Sequence, residues 1–263
     1  MQHMDSLGRI IVEARAGRHL ALFLDFDGTL VELAPQPDAV RPAPGLVPLL
    51  ASLSQRLAGS LAIVTGRRVA VIDHYLAPLR LPVAGLHGFE MRLDGELAPS
   101  LARADELAAA RARLGAFAAS RPGLRLEDKG QTLALHYREA PDAEGEARAL
   151  AESIRDGSGG GLKLIHGKMV SELLPAGRDK GRAIADLLAR PPFTGGLPIF
   201  VGDDVTDEAG FRVVNAAGGV TVRAGPPSPT EARQALPDVA GVLDWLEELH
   251  RGLVGGTTED IGR

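Results

Sequence analysis

The sequence has no cysteine among its 263 residues, which excludes disulfide bonds, thiolate metal sites and cysteine nucleophiles. It also has no excess of basic residues, because it contains 29 Lys and Arg and 34 Asp and Glu, which gives a net charge of -5. A protein that neutralises nucleic-acid phosphates is therefore not expected, whereas a small phosphorylated molecule needs only a few local cations. Apolar runs such as Leu20–Leu24 are too short to span a bilayer. Charges interrupt residues 1–18, so we expect no targeting segment, and we predict a cytoplasmic monomer that binds neither nucleic acid nor membrane.

Short apolar runs that end abruptly in polar or glycine residues predict buried strands of a parallel sheet. They are Leu20–Leu24, Leu61–Val64, Val83–Leu86 and Leu197–Val201, with Val220–Val222 as a fifth candidate. Stretches with apolar residues at helical spacing lie between them, for example from Leu46 to Leu57 and from Ala183 to Leu188. Strands that alternate with helices predict an α/β fold with a doubly wound, mostly parallel sheet.

Residues 100–174 break this alternation and predict the element order αββαββ, which is that of a smaller, inserted α+β domain. The predicted helices are Leu101–Ser120 and Ala143–Arg155, and the predicted strands are Leu124–Glu127, Thr132–Arg138, Leu162–Ile165 and Met169–Leu174. We therefore predict a core domain made of residues 1–99 and 175–263, interrupted by a second domain at 100–174.

The predicted core strands end in carboxylates and small polar residues, in the segments Asp25–Thr29, Thr65–Arg67 and Gly202–Glu208. Open α/β sheets bind ligands at the carboxyl ends of their strands, so these segments are expected to share one crevice. Carboxylates this close would repel one another unless a cation lay among them. Oxygen ligands without thiolates or paired histidines favour Mg²⁺ over Zn²⁺.

Carboxylates can also act as nucleophiles that form an aspartyl-phosphate. An Asp two residues further on, at Asp27, could then serve as general acid and base. Thr65 and neighbouring backbone N–H groups could hold phosphoryl oxygens, and Lys180 could supply compensating positive charge. Each motif alone has an ordinary interpretation: a turn, a helix cap or an exposed helix residue. The occurrence of all four in one order favours the catalytic interpretation.

These residues resemble the four motifs of the haloacid dehalogenase-type phosphatase superfamily: Asp25-x-Asp27-Gly28-Thr29, Thr65-Gly66-Arg67, Lys180, and Gly202-Asp203-Asp204-x-x-Asp207. The resemblance implies Asp25 as nucleophile, Asp27 as acid and base, and Thr65 with Lys180 on the phosphate. It implies Mg²⁺ held by Asp25, Asp203 and the backbone carbonyl of Asp27, with Asp204 and Asp207 in support. The inserted segment matches the larger cap type of that superfamily, which closes over sugar phosphates.

A narrower resemblance is to the trehalose-6-phosphate phosphatase family. It is carried by the fourth motif together with Leu86-His87-Gly88, Glu127-Asp128-Lys129-Gly130, Arg138 and Gly167-Lys168-x-x-x-Glu172. It implies hydrolysis of trehalose 6-phosphate, with the sugar held by Glu127, Lys129, Arg138, Lys168 and Glu172. Thr29, Gly66, Arg67, His87 and Gly88 are the remaining predicted substrate-binding residues.

Two other functions remain open at this stage. The same chemistry could act on sucrose 6-phosphate or mannosyl-3-phosphoglycerate, and a non-catalytic sugar-phosphate sensor is a further alternative. The charged cap residues could also be exposed charges at hairpin turns and edges. Taken alone, His87 is typical of an ordinary strand end, His136 is interpreted as solvent-facing, and Trp245 as a helix-packing residue.

Overall fold

The computed structural model describes residues 2–34, 39–93, 95–97, 104–167 and 169–254. Contacts divide the chain into two compact units: Met1–Ala98 with Asp179–Arg263, here called the core unit, and Pro99–Arg178, here called the cap unit. The core unit contains helices α1 (Gln2–Arg15), α2 (Leu46–Arg56), α3 (Val69–Leu76), α6 (Lys180–Leu188), α7 (Glu208–Ala216) and α8 (Val239–Val254). Its strands are β1 (Leu20–Leu24), β2 (Leu61–Val64), β3 (Val83–Gly85), β4 (Glu90–Arg92), β9 (Leu197–Gly202), β10 (Val220–Ala224) and β11 (Gln234–Leu236). The cap unit contains α4 (Ala104–Ala119), β5 (Arg125–Asp128), β6 (Leu133–His136), α5 (Glu144–Gly157), β7 (Leu162–Gly167) and β8 (Val170–Pro175).

The core strands form one sheet in the order β11-β10-β9-β1-β2-β3-β4, and its pairs are parallel except β3 with β4. The chain runs from β1 outward to β2 and β3, and returns on the other side of β1 as β9. Strand order therefore reverses at β1, and the crevice beside such a reversal is where open α/β sheets bind ligands.

Both faces of β1 are buried, as its continuous apolar sequence predicts. Leu20, Leu22 and Leu24 pack in one cluster with residues of α1, α2, α3 and α8. Ala21 and Phe23 point to the opposite cluster, with residues of α6 and α7. Helices thus cover both sides of the sheet, and the predicted doubly wound, mostly parallel α/β fold is confirmed. Trp245 lies in the first cluster, as expected of a helix-packing residue.

The predicted core strands differ from the observed ones mainly at their ends. The third run stops at Gly85 because Leu86 begins a 3₁₀ turn, whereas the fourth and fifth extend to Gly202 and Ala224. β4 and β11 were not predicted. Each has three residues, which are too few to show the alternation of apolar and polar residues that indicates a strand.

The cap unit is an antiparallel sheet in the order β5-β6-β8-β7 with α4 and α5 packed on one face. Its element order is the predicted αββαββ, with the described part of each helix and strand within a few residues of its predicted position. Residues 101–103 of the first predicted helix lie outside the described residues. Within the described ranges, no helix combines the length and apolar composition needed to cross a membrane.

Candidate active site

Three strands of the core sheet deliver the predicted site residues to one edge. Asp25 directly follows β1, Thr65 directly follows β2, and Asp203 directly follows β9. Because β2 and β9 are the two neighbours of β1, their carboxyl ends flank the end of β1. The fold therefore gathers three motifs that lie up to about 180 residues apart in the sequence.

A buried lysine links two carboxylates at this edge. Nζ of Lys180 lies 2.8 Å from Oδ1 of Asp25 and 2.7 Å from Oδ1 of Asp207. Lys180 is 2% exposed, Asp25 4% and Asp207 0%, so all three charges are removed from water. The lysine is the first residue of α6, whose preceding Asp179 caps the helix by accepting from the backbone N–H of Arg182.

The backbones of α6 and α7 approach each other closely at Gly181. A Cβ at this position would overlap the backbone carbonyl of Ala209, and backbone has little freedom to yield. Glycine thus allows the first turn of α6, and with it the Lys180 side chain, to reach the edge of the sheet.

Asp207 organises the loop after β9. Its Oδ2 accepts hydrogen bonds from the backbone N–H groups of Asp203 (3.0 Å) and Asp204 (2.9 Å), while its Oδ1 accepts from Lys180. The carboxylate therefore ties the loop to α6. A Cβ at Gly202 would overlap the Asp207 carboxyl group, which explains why this strand ends in glycine.

Carboxylate oxygens of Asp25, Asp203 and Asp207 all lie within 4.8 Å of one another and could hold a metal ion. Gly28, with φ +78°, leaves room for this cluster, since a Cβ there would overlap the Asp203 carboxylate. Three carboxylates face one ammonium here, so a divalent cation would complete the charge balance, and an all-oxygen set suits a hard ion such as Mg²⁺.

Burial raises the pKa of Asp25 well above its usual range, with Lys180 opposing this shift and the charges of Asp207 and Asp203 adding to it. Burial alone would lower the pKa of Lys180, but the carboxylates of Asp207 and Asp25 outweigh it and raise that pKa. The lysine is therefore held in its charged form.

Arg67, a predicted substrate-binding residue, forms a bidentate pair with Asp27. Its Nε and Nη2 each lie 2.6 Å from a different oxygen of Asp27. The guanidinium carbon also lies 5.7 Å from the ring centre of Phe26 and 5.3 Å from that of Tyr75. The two aromatic rings and the bidentate pair fix the arginine in one orientation.

Thr65 and His87 belong to one hydrogen-bonded unit. The backbone N–H of His87 donates to the carbonyl of Thr65 (3.0 Å), and that of Leu86 donates to the carbonyl of Arg67 (2.9 Å). Leu86 and His87 both have positive φ, at 49° and 56°, which is uncommon for residues other than glycine and is concentrated at functional sites. The His87 ring is buried over Gly66, where a Cβ would lie 2.9 Å from Nε2.

The predicted residues Thr29 and Gly88 are also buried in the core unit. The hydroxyl of Thr29 has no hydrogen-bond partner among the residues that the structure describes. Asp204 lies at the start of the turn Val205–Asp207, where its side chain and that of Asp207 form a reciprocal capping box.

The predicted cap residues form contacts within the cap unit. Lys129 Nζ lies 3.1 Å from Oε1 of Glu172, which also accepts from the hydroxyl of Thr132 at 2.7 Å. Arg138 is exposed in the turn after β6, and Lys168 lies outside the described residues. His136 is not simply solvent-facing, as the alternating pattern had suggested, because its Nε2 lies 2.9 Å from Oε2 of Glu127.

Comparisons with known proteins agree with this geometry. Residues 23–239 match the trehalose-phosphatase family. The chain belongs to that family. It is 47% identical over 231 residues to the "Probable trehalose-phosphate phosphatase" of Sinorhizobium fredii, with 87% of each chain covered. It is 39% identical over 239 residues to the trehalose-6-phosphate phosphatase of Escherichia coli, covering 89% of this chain and 87% of that one.

Solved structures share the fold of this trehalose-phosphatase family member. A trehalose-6-phosphate phosphatase related protein superposes with a TM-score of 0.74 at 27% identity, over 89% of this chain and 98% of that one. The C-terminal domain of the Candida albicans trehalose-6-phosphate phosphatase superposes with a TM-score of 0.82 at 23% identity, over 92% and 96% of the two chains, which shows the fold. A haloacid dehalogenase-like hydrolase from Bacteroides thetaiotaomicron shares the fold, with a TM-score of 0.66 at 15% identity over 88% of this chain and 100% of that one. Membership of the family makes the protein a phosphatase.

Two residues beside the site of this phosphatase were missed in the sequence. Arg223 donates from Nη2 to the backbone carbonyl of Asp203 at 3.1 Å, and it follows the predicted strand Val220–Val222 at the same sheet edge, which was an available signal. Glu90 accepts from the backbone N–H of Val69 at 2.8 Å and so caps α3, the helix that begins after the Thr65 motif. Its position on an edge strand of three residues gave no comparable signal.

Replacing Lys180 with methionine tests the buried charge arrangement. The change keeps the length of the side chain but leaves Asp25 and Asp207 without their cation, and breaking a buried pair in this way costs about 3–5 kcal/mol. We expect the free energy of unfolding, measured by urea titration at pH 7 in EDTA, to fall by about that amount.

The matched control lies on the same helix. Arg182 is 65% exposed on its side chain and pairs with Asp186 at 3.2 Å, so Arg182→Met should change the free energy of unfolding by less than about 1 kcal/mol. An equally small change in Lys180→Met would contradict the proposed role of its charge.

Proposed function

We propose that this phosphatase hydrolyses trehalose 6-phosphate to trehalose and phosphate, with Mg²⁺ and through an aspartyl-phosphate on Asp25. The observation that carries the proposal is the buried contact of Lys180 with Asp25 and Asp207 at the point where strand order reverses. Membership of the trehalose-phosphatase family supports the choice of substrate. A cytoplasmic location and a monomeric state remain predictions.

The donor set fits the metal that the family implies. Asp25, Asp203 and the backbone carbonyl of Asp27 would hold Mg²⁺, while Asp207 is already engaged by Lys180 and two backbone N–H groups. When bound, Mg²⁺ supplies positive charge that offsets the negative charge of the phosphoryl oxygens.

The first half of the reaction uses two carboxylates. An oxygen of Asp25 forms a bond to phosphorus, and the bond between phosphorus and the sugar oxygen breaks. Protonated Asp27 transfers its proton to the departing sugar oxygen, which leaves as the hydroxyl of trehalose. Each oxygen of Asp27 accepts one hydrogen bond from Arg67 and keeps a second lone pair, so Arg67 orients the carboxyl group without blocking the transfer.

The second half restores the enzyme. Water attacks the phosphorus of the aspartyl-phosphate and gives up a proton to Asp27, and the bond between phosphorus and Asp25 breaks to release phosphate. Thr65 and the ammonium of Lys180 hold the phosphoryl oxygens in both halves. The pre-existing burial of Lys180 means that its charge needs no reorganisation at the moment of reaction.

Residues of the cap unit would select the sugar. Glu127 on β5 and Glu172 on β8 lie on either side of β6, and Lys129 directly follows β5. These charged hydrogen-bonding groups suit the hydroxyls of a disaccharide. Arg138 and Lys168 would join them by family resemblance. Another sugar phosphate would use the same core chemistry, so substrate choice depends on these contacts. A sensor without catalysis is disfavoured because the Asp25 and Lys180 contact is intact.

A substrate panel tests the proposed function. We expect phosphate release from trehalose 6-phosphate to exceed that from sucrose 6-phosphate and mannosyl-3-phosphoglycerate by at least about 100-fold in kcat/KM, since unmatched hydroxyls leave buried polar groups unpaired. EDTA should stop the reaction and Mg²⁺ restore it. Preference for another member of the panel would reject the substrate, and full activity in EDTA would reject the metal.

Asparagine at position 25 tests the nucleophile. Asp25→Asn keeps the volume of the side chain but removes the attacking carboxylate, so kcat for trehalose 6-phosphate should fall by at least about a thousandfold. Circular dichroism should show a folded protein.

Asp186→Asn provides the control, because it removes one carboxylate from α6 at a position outside the site. This variant should retain the wild-type kcat. More than a few per cent of activity in Asp25→Asn, after mass spectrometry has excluded deamidation, would mean that another group attacks the phosphorus.

A further inference from the structure

The cap sheet has one face that α4 and α5 cover and one face that carries polar groups. Leu133, Leu135 and Leu173 point to the helices. Side chains alternate across a strand, so Ala134 and His136 point to the opposite face. Ala134 lies directly across from Glu127 on β5 and from Glu172 on β8, so both glutamates share its face.

Each of these glutamates accepts a hydrogen bond from a side chain of β6, the strand between them, or of Thr132, which directly precedes β6. His136 Nε2 lies 2.9 Å from Oε2 of Glu127, and the hydroxyl of Thr132 lies 2.7 Å from Oε1 of Glu172. A carboxylate can only accept, so the Nε2–H of His136 is the donor. The histidine side chain is 22% exposed and that of Glu127 33%, which places both at a surface that a ligand can reach.

The contact also favours the charged form of the glutamate. The hydrogen bond from His136 lowers the pKa of Glu127, against the effect of partial burial, and the charge of Lys129 lowers it further. Glutamate is ionised at neutral pH in any case, so the contribution of this contact to recognition lies in the orientation of the carboxylate.

We propose that His136 is a positioning residue for sugar recognition, which holds the Glu127 carboxylate in the orientation that accepts substrate hydroxyls. This inference rests on the proposed function. Glutamate has three rotatable side-chain bonds, and a substrate that had to order them would lose binding energy. The histidine fixes the carboxylate in advance and leaves its other oxygen for the sugar.

Kinetics of three variants test the proposal. His136→Leu removes the donor at similar volume and should lower kcat/KM for trehalose 6-phosphate about tenfold, mainly through KM, because the lost contact is made before and during reaction. His136→Gln, whose amide nitrogen reaches a similar position, should stay within about threefold of wild type. In a Glu127→Ala background, His136→Leu should have less than about a twofold further effect, because its partner is gone.

His166 offers a matched control. It lies in the same unit on the helix-covered face, its side chain is 21% exposed, and it contacts Ser171 and Glu152. His166→Leu should leave kcat and KM for trehalose 6-phosphate at their wild-type values. If His136→Leu does not fold by circular dichroism, His136→Asn takes its place, because the shorter amide cannot reach Glu127 and the same tenfold loss is expected.

Each outcome decides the inference. A His136→Leu variant within twofold of wild type, or a full tenfold loss that persists without Glu127, would overturn it while leaving the proposed function intact. A similar loss in His136→Gln would show that the ring matters for packing and not as a donor, which also overturns it. A wild-type protein without activity on trehalose 6-phosphate would instead reject the proposed function, and the inference with it.

Discussion

Lys180 holds its ammonium group between the carboxylates of Asp25 and Asp207 in a place almost closed to water. Isolated charges are expensive to bury, so the lysine depends on the two carboxylates to keep its charge, and its ammonium group in turn offsets the negative charge of each carboxylate. The third carboxylate, Asp203, has an oxygen within 4.8 Å of oxygens of both, close enough to hold a metal ion together with Asp25. In the proposed function, the lysine neutralises these carboxylates only in part, so a divalent cation would complete the charge balance that the chemistry of Asp25 needs.

The rest of the core unit serves to bring these charges together. Reversal of strand order at β1 places the ends of β2 and β9 on either side of Asp25. Gly181 lets α6 approach α7, while Gly28 and Gly202 leave space for the Asp203 and Asp207 carboxylates. A side chain at Gly28 or Gly202 would displace a carboxylate of the site, and one at Gly181 would push α6, with Lys180, away from α7. The backbone at these glycines therefore sets the positions of the charges.

The sequence allowed the fold to be predicted because buried parallel strands are continuous apolar runs. It also placed the candidate site residues together, because they directly follow these strands. Contacts between side chains were not accessible in the same way. Nothing in a linear pattern shows that Arg67 binds Asp27, or that His136 turns toward Glu127, because these pairs depend on register and rotamer. Glu90 gave no such pattern either, because its partner is a backbone N–H of another segment, whereas the position of Arg223 after a predicted core strand could have identified it.

Thermal unfolding with and without Mg²⁺ tests the charge balance most directly, since it does not depend on turnover. A cation that binds the folded protein at a hundred times its Kd adds about 2.7 kcal/mol, which corresponds to a rise in Tm of roughly 5–10 °C for a protein of this size. The account predicts such a rise for the wild-type protein and little or none for Asp203→Asn, whose fold retains the Lys180 pairs. No rise in the wild-type protein, or an equal rise in both, would contradict it.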